Sequence, residues 1–595
     1  MKHKIFSYLI LPGLILFAAP GCKKLLEEQP RLGFAPSFFS TTDGIQGGIA
    51  GIYSSFRGQW ATQIWTQLYN GGTDESLRGA AADVQHWFTY NNPLIISSSA
   101  DNYQGFWNTL FIDINTANGV LEYGAAANIP DATKVQLLAQ AKFLRGFCYF
   151  YLVTTFGEVP LHTTFSTSAS TADAPAPLAD LYAQIIKDFT EASADLPNTP
   201  AAGTGKPATK PTALFLLAKT YLWRGWSAAA QATDFQQAYS IAKGIIDNKA
   251  TYNLNLLPFY NDIFKEGNEY SSEVLMVIDH TKDLKFGQNS QPGTGAGGPS
   301  ENKSNFFWRP GYDVIRADYP ATTGALVCAR DIQNGRPFRR IRPNMKYVLE
   351  TAFANRTTDQ RYDGTFQTVW LSNSTAMSAP GTTGATTPRG TLINKVDTAI
   401  WLRDRVVTPA ERAAFKGVML EPDFLPGATV KFTDQMFPSV RKFDDSTRGD
   451  QNDYSDRPYI LFRLAEVYLV AAEAAFKGGA TTQDAADMIN ELRKRAALKP
   501  KQTPAEYAAA LAAQQIAAGD ITLDFILDER SRELFAEDCR WWDLSRTKKL
   551  VDRVKLHNPE AGPTVQPHHM LRPIPQSQID LVTEGPKYPQ NPGYQ

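Results

Sequence analysis

The stretch from Arg457 to Leu498, RPYILFRLAEVYLVAAEAAFKGGATTQDAADMINELRKRAAL, limits the fold more than any other part of the chain. It reads as two antiparallel helices. Pro458 suits a first helical turn, Leu461, Leu464, Ala465, Tyr468, Ala472 and Phe476 recur at three-and-four spacing, and Gly478-Gly479 supplies the stop. Thr481 with Asp484 forms a capping-box start for the second helix. Its stripe is Ala485, Met488, Ile489, Leu492 and Ala496, and Arg493, Lys494 and Arg495 face the carbonyl end of its dipole. Burying each large apolar side chain gains roughly 1.5–3 kcal/mol, too little to offset the ordering of a lone hairpin. The hairpin must stack on neighbours, as repeat units do.

Further helices are expected over Gly47 to Trp60, Trp107 to Tyr123, Val135 to Gly157, Leu178 to Leu196, Lys210 to Gly225 and Phe235 to Asn248. Ala and Tyr at close-packing positions give these pairs a tetratricopeptide-like character. The fold class is therefore mostly α: helix pairs forming a superhelical scaffold. Between Gln63 and Tyr103 the periodicity lapses into a ring-rich, polar loop. From about Ala250 to Asp456 the character changes to an irregular insert, with short strands expected at Ser271 to Ile278 and Arg361 to Trp370. The resulting divisions are a signal segment 1–21, a tether 22–45, scaffold 46–250, insert 251–456 carrying the ligand face, scaffold 457–550 and an irregular tail 551–595.

Several functions are disfavoured by simple counts. Lys plus Arg total 59 against 60 for Asp plus Glu, so no field steers the chain to nucleic acid. The seven histidines show no zinc spacing, no Gly-x-Ser-x-Gly elbow occurs, and GQNSQPGTGAGGPS (Gly287 to Ser300) lacks the ending of a phosphate loop. FDDSTRGDQNDYSD, Phe443 to Asp456, lacks the spacing of a calcium loop and reads as a solvated turn. No metal and no cofactor is expected. Glu529, Glu533 and Glu537 could suggest a glycosidase pair, but three carboxylates in one helical stripe beside Arg530, Arg540 and Asp543 read better as a salt-bridge network. Arg463, Glu466 and Glu473 take the same reading. Cys148 and Cys539 read as small buried hydrophobes, as Trp541 and Trp542 read as core.

At the N-terminus, Lys2, His3 and Lys4 precede an apolar run from Ile5 to Ala19, and Ala19-Pro20-Gly21-Cys22 follows. This outline is similar to a bacterial lipobox, with Ala19 where Leu is usual. Cys22 would carry the acyl chains, and the lipid would be the protein's only hold on the membrane.

Four later pieces carry a resemblance to a known family. They are FLRGFCYFYLVTTFGEVPL (Phe143 to Leu161), LFRLAEVYLVAAEA (Leu461 to Ala474), ILDERSRELFAEDCRWWDLSR (Ile526 to Arg546), and LRPIPQSQID with QNPGY at the C-terminus. In order and spacing, and with CKKLLEEQP after the signal, the chain resembles the SusD/RagB family of outer-membrane glycan-binding lipoproteins. The resemblance implies four tetratricopeptide-like pairs packed against an irregular binding region. It also implies a non-catalytic protein on the cell exterior that passes oligosaccharide to a SusC-like TonB-dependent transporter. An adaptor that binds a protein or peptide on its concave helical face is the alternative.

The family motifs fix no binding residues, so the site rests on local chemistry. A glycan needs flat apolar faces for its C–H surfaces and fixed polar groups for its hydroxyls. The loop with Arg78, Asp83, Gln85, Trp87, Tyr90 and Asn91 supplies both, as does Phe306, Phe307, Trp308 and Arg309. Arg78, Trp87, Tyr90, Asn91, Phe307 and Trp308 are the expected ligand contacts.

Overall fold

The computed structural model describes residues 36–91, 103–168, 170–281, 302–373 and 383–594. Cys22, the signal segment, the first part of the tether and the Gly-rich stretch 287–300 lie outside them. Seven helices of eight residues or more open the described chain: α1 Thr42–Ser55, α2 Gln63–Asn70, α3 Gln104–Gly124, α4 Asp131–Phe156, α5 Leu178–Asp195, α6 Lys210–Trp226 and α7 Asp234–Asp247. Their limits follow local chemistry. Thr41 accepts a hydrogen bond from the Gly44 amide at 3.1 Å, Pro211 sits in the first turn of α6, and Gly157 takes φ 81° where α4 stops. From α3 to α7 each helix packs on the next. Packing begins ahead of residue 46, since Phe39 and Ile45 are buried in the core.

The stack continues across the insert. Helix α8 (Leu464–Ala474) packs on α7, and α9 (Thr482–Ala496) packs on α8. The Thr481–Asp484 capping box is present, and Gly478 takes φ 98° between the helices. One part of the sequence reading is corrected here: Pro458 does not open a helix. Among the strands β1 Ser76–Arg78, β2 Val274–Ile278, β3 Ile341–Pro343 and β4 Tyr459–Arg463, the last pairs antiparallel with β2, Tyr459 opposite Ile278. An apolar run such as Tyr459 to Phe462 suits either state, and the wholly buried strand Val274–Ile278 offers it a ladder partner.

A second correction concerns the glutamate stripe. Helix α10 (Leu523–Leu534) ends before Glu537, the backbone turns through Ala536 (φ 65°) and Asp538 (φ 52°), and α11 (Arg540–Arg546) begins afresh. Glu529 and Glu533 share a helix face; Glu537 lies in the turn. All three nevertheless end in one buried ion-pair network. Arg361 reaches Glu529 at 2.8 Å and Glu533 at 3.1 Å, Arg463 reaches Glu533 and Glu537 at 2.7 Å each, and Arg493 reaches Glu529 at 2.7 Å. Arg495 spans Glu273, at 2.7 Å, and Glu533. Burial would push the Glu533 carboxyl upward, but Arg495, Arg463 and Arg361 together hold it far below the ordinary carboxylate range. Arg530 joins Asp543 at 2.5 Å and Glu466 at 3.2 Å, and Arg546 joins Glu473 at 2.7 Å. The salt-bridge reading of these charges thus describes their geometry.

Among its described residues the insert holds small sheets only. Val369–Leu371, Thr398–Leu402 and Val418–Leu420 form a three-stranded sheet, and β1 pairs with β3. The strand expected from Arg361 to Trp370 begins as a helical turn, Arg361–Thr365, because Arg361 is pinned by Asp359 and the α10 glutamates. The Asp-rich run is packed rather than solvated: Asp445 and Asp453 are buried, Ser455 donates to Asp445 at 2.7 Å, and Arg448 donates to the Asp453 carbonyl at 3.0 Å. Trp541, Trp542 and Cys148 lie in the core.

Candidate functional site

The two loops singled out in the sequence do meet. Strand β1 pairs with β3 in the register Ser76 opposite Pro343, and the amide of Lys303 donates to the Ala61 carbonyl at 2.9 Å. The Arg340 amide donates to the Phe307 carbonyl at 3.0 Å, and the Ala81 amide to the Arg339 carbonyl at 3.0 Å. A seam therefore joins segments 61–91, 302–312 and 336–343.

The expected rings are turned inward. Trp87 is 2% exposed, Tyr90 4%, Phe307 0% and Trp308 1%. Each is covered for a specific reason. The Arg572 guanidinium stands 4.5 Å from the Trp87 ring centre, and Tyr103 meets that ring edge-on at 5.4 Å. Tyr90 stacks on His569 at 4.3 Å while its hydroxyl donates to the Gly72 carbonyl at 3.2 Å. Trp308 packs on Phe535 at 5.7 Å, and Arg309 is held by Asp444. None of these four rings offers a face to a sugar. Arg78 and Asn91 do reach the surface: Arg78 is half-buried and donates to Gln85 at 2.9 Å, and Asn91 is exposed.

Two other rings occupy the surface of the seam. Phe306, itself buried, lies under both, 4.9 Å from Phe338 and 5.7 Å from Tyr454. Both upper rings are half-buried. Cations flank them, Lys303 at 4.7 Å from Tyr454, and Arg336 at 5.1 Å and Arg340 at 5.5 Å from Phe338. Beside them Asp83 is fixed by Arg340 (3.2 Å), Gln63 (2.9 Å) and Gln67 (2.8 Å). This surface combines apolar ring area with donors and an acceptor held in place, the chemistry that a ligand with C–H faces and many hydroxyls requires.

Sequence reasoning missed Phe338 and Tyr454. RPFRR, Arg336 to Arg340, did carry a signal, a ring set among cations; Tyr454 lay inside a run read for its carboxylates. Among the described residues no group of three or more His, Cys, Asp or Glu side chains is placed to hold a metal ion.

Comparison with known proteins places this geometry in context. Residues 426–594 match the model of the SusD family, and residues 33–222 match a family described as starch-binding associating with outer membrane. SusD-like protein P2 of Formosa agariphila is 27% identical over 617 residues, covering 100% of both chains. The starch-binding protein SusD of Bacteroides thetaiotaomicron is 24% identical over 512 residues, 84% of this chain and 80% of that one. Among solved structures, surface glycan-binding protein A of Bacteroides thetaiotaomicron, in complex with laminarihexaose, superposes with a TM-score of 0.60 at 19% identity, over 93% of this chain and 99% of that one. The two SusD-type family matches together span more than half of the sequence, and with these relatives and neighbours they support a SusD-like family protein.

Proposed function

We propose that the protein is a non-catalytic, cell-surface glycan-binding lipoprotein, which captures oligosaccharide or polysaccharide on the Phe338–Tyr454 surface and delivers it to a SusC-like TonB-dependent outer-membrane transporter. The observation that carries the reading is the pair of half-buried rings seated on Phe306 and flanked by Lys303, Arg336, Arg340 and Asp83. Family membership supports it, as do relatives named for starch binding and a neighbour bound to laminarihexaose. In this reading Arg78 and Asn91 are outlying contacts. Cys22 is the anchor in this reading, and no helix among the described residues is long and apolar enough to cross a membrane.

A glycan array with protein starting after Cys22, repeated with Phe338→Ala plus Tyr454→Ala, tests the reading. Binding in the parent and a loss of at least tenfold in the folded double variant are expected. Array silence, or release of shortened glycan by the purified protein, would overturn the function; an unchanged double variant would move the site. Capture of a large outer-membrane barrel from membranes by the lipidated protein tests the delivery step.

A further inference from the structure

A cleft of about 780 Å³ shares no described lining residue with the Phe338–Tyr454 surface. Its walls come from three places. The end of α1 and the turn after it give Tyr53, Ser54 and Arg57, the connection between α5 and α6 gives Gly203 to Pro207, and the residues just after β2 give Asp279 and His280, with Tyr270 beside them. Tyr53 fixes one wall, donating to Gln140 at 2.5 Å and accepting from the Ala208 amide at 3.0 Å. Gly205 lets a second wall approach: a Cβ there would stand 2.9 Å from an Asp279 carboxylate oxygen, and its φ is 70°.

Two side chains lining this cleft have no hydrogen-bond partner among the described residues. His280 is 4% exposed, yet neither ring nitrogen has a hydrogen-bond partner. Such a group costs stability where it stands, so it is a position at which an apolar residue would serve folding better. Burial and the nearby Arg57 push its pKa down to about 3, so the ring is a neutral donor and acceptor. Lys206 is half-buried and has no hydrogen-bond or ion-pair partner among the described residues, and burial depresses its pKa. Of the other charged residues that line the cleft, Arg57 donates to Ser54 at 2.8 Å and Asp279 accepts from Tyr270 at 2.6 Å. Arg57 and Asp279 offset one another, which leaves Lys206 as the cation without a counter-charge among these residues.

We propose that this cleft is a second ligand site and that it takes an acidic saccharide, with a uronate carboxylate on Lys206 and a sugar hydroxyl on Asp279. The volume lies in the range of small-molecule sites and far exceeds an inorganic anion. A hydrocarbon would leave Lys206 unpaired; a uronide pairs it, since an ammonium–carboxylate contact is the stronger, charge-assisted kind. The half-exposed Tyr270 ring offers a sugar C–H face a surface beside Asp279.

Calorimetry with tetramers of galacturonate, mannuronate and glucuronate, against maltotetraose as the neutral control, tests this in the lipid-free protein. At least one acidic tetramer is expected to bind, more weakly as salt rises, with a loss of tenfold or more in Lys206→Gln. Lys206→Gln is expected to leave the melting temperature unchanged while losing this binding, a combination that a structural role would not give. Phe338→Ala with Tyr454→Ala is expected to leave this binding intact, which separates the proposal from the surface site. Failure of all three acidic tetramers to bind, binding indifferent to Lys206→Gln, or binding abolished by the Phe338 and Tyr454 changes would each overturn it.

Discussion

Arg572 lies over the face of Trp541, its guanidinium carbon 3.8 Å from the ring centre, and the same group stands 4.5 Å from Trp87. A buried cation clasped between two indoles makes Trp87 a structural residue. Trp87→Ala is expected to lower unfolding free energy by about 3–5 kcal/mol, the usual loss for a large aromatic removed from a core. Urea denaturation reads it, and a loss below about 1 kcal/mol, the level of a surface change, would contradict the packing.

Glu533 is shared by Arg361, Arg463 and Arg495, all buried. Replacing it by Gln keeps the shape and removes the charge that these guanidiniums face. The expected loss is about 3–5 kcal/mol, as for breaking a buried ion pair from one side. Chemical denaturation of Glu533→Gln at neutral pH tests this; stability equal to the parent would show that the neighbouring carboxylates suffice.

Asp113 is buried on α3, where the Ser55 hydroxyl donates to it at 2.5 Å and no cation among the described residues is paired with it. Burial raises its pKa from 3.8 to about 8. The fold therefore holds a proton that the unfolded chain has released, and this contribution is complete below pH 4 and disappears as pH rises toward 8. Asp113→Asn removes the titration. Relative to the parent, its melting temperature is expected to improve steadily from pH 4 to pH 8.5, and parallel profiles would refute the assignment.

Thr481 accepts from the Asp484 amide at 3.1 Å, and Asp484 returns a bond to the Thr481 amide at 2.9 Å. Thr481→Ala at this exposed cap is expected to cost about 1 kcal/mol. A thermal melt shows it as a small, clean decrease, whereas no decrease would mean that packing of α9 on α8 alone sets the helix start.

The helices were legible because their signals are local. Pro211, the Thr481–Asp484 box and Gly157 act on residues within one turn, and α4, α6 and α9 start and stop where those residues stand. The strand Tyr459–Arg463 was not legible, because what decides it is Val274–Ile278, far away in the chain. The same reason hid the fate of the rings. Trp87 sits among polar neighbours in sequence, and nothing local announces that Arg572 will close over it. Conversely Phe338 and Tyr454 become neighbours only through Phe306, which touches both.

The direct packing of α7 on α8 leaves everything from residue 248 to residue 463 as an excursion from a continuous stack. Closing such a loop becomes harder only logarithmically, by about 0.6 kcal/mol for each doubling of its length. Segments within it that lie away from the Arg361 and Glu273 anchors can lengthen, shorten or change composition with little penalty to the stack. The architecture separates what must stay constant from what can vary, so new ligand preferences can arise in one part without the other having to fold anew.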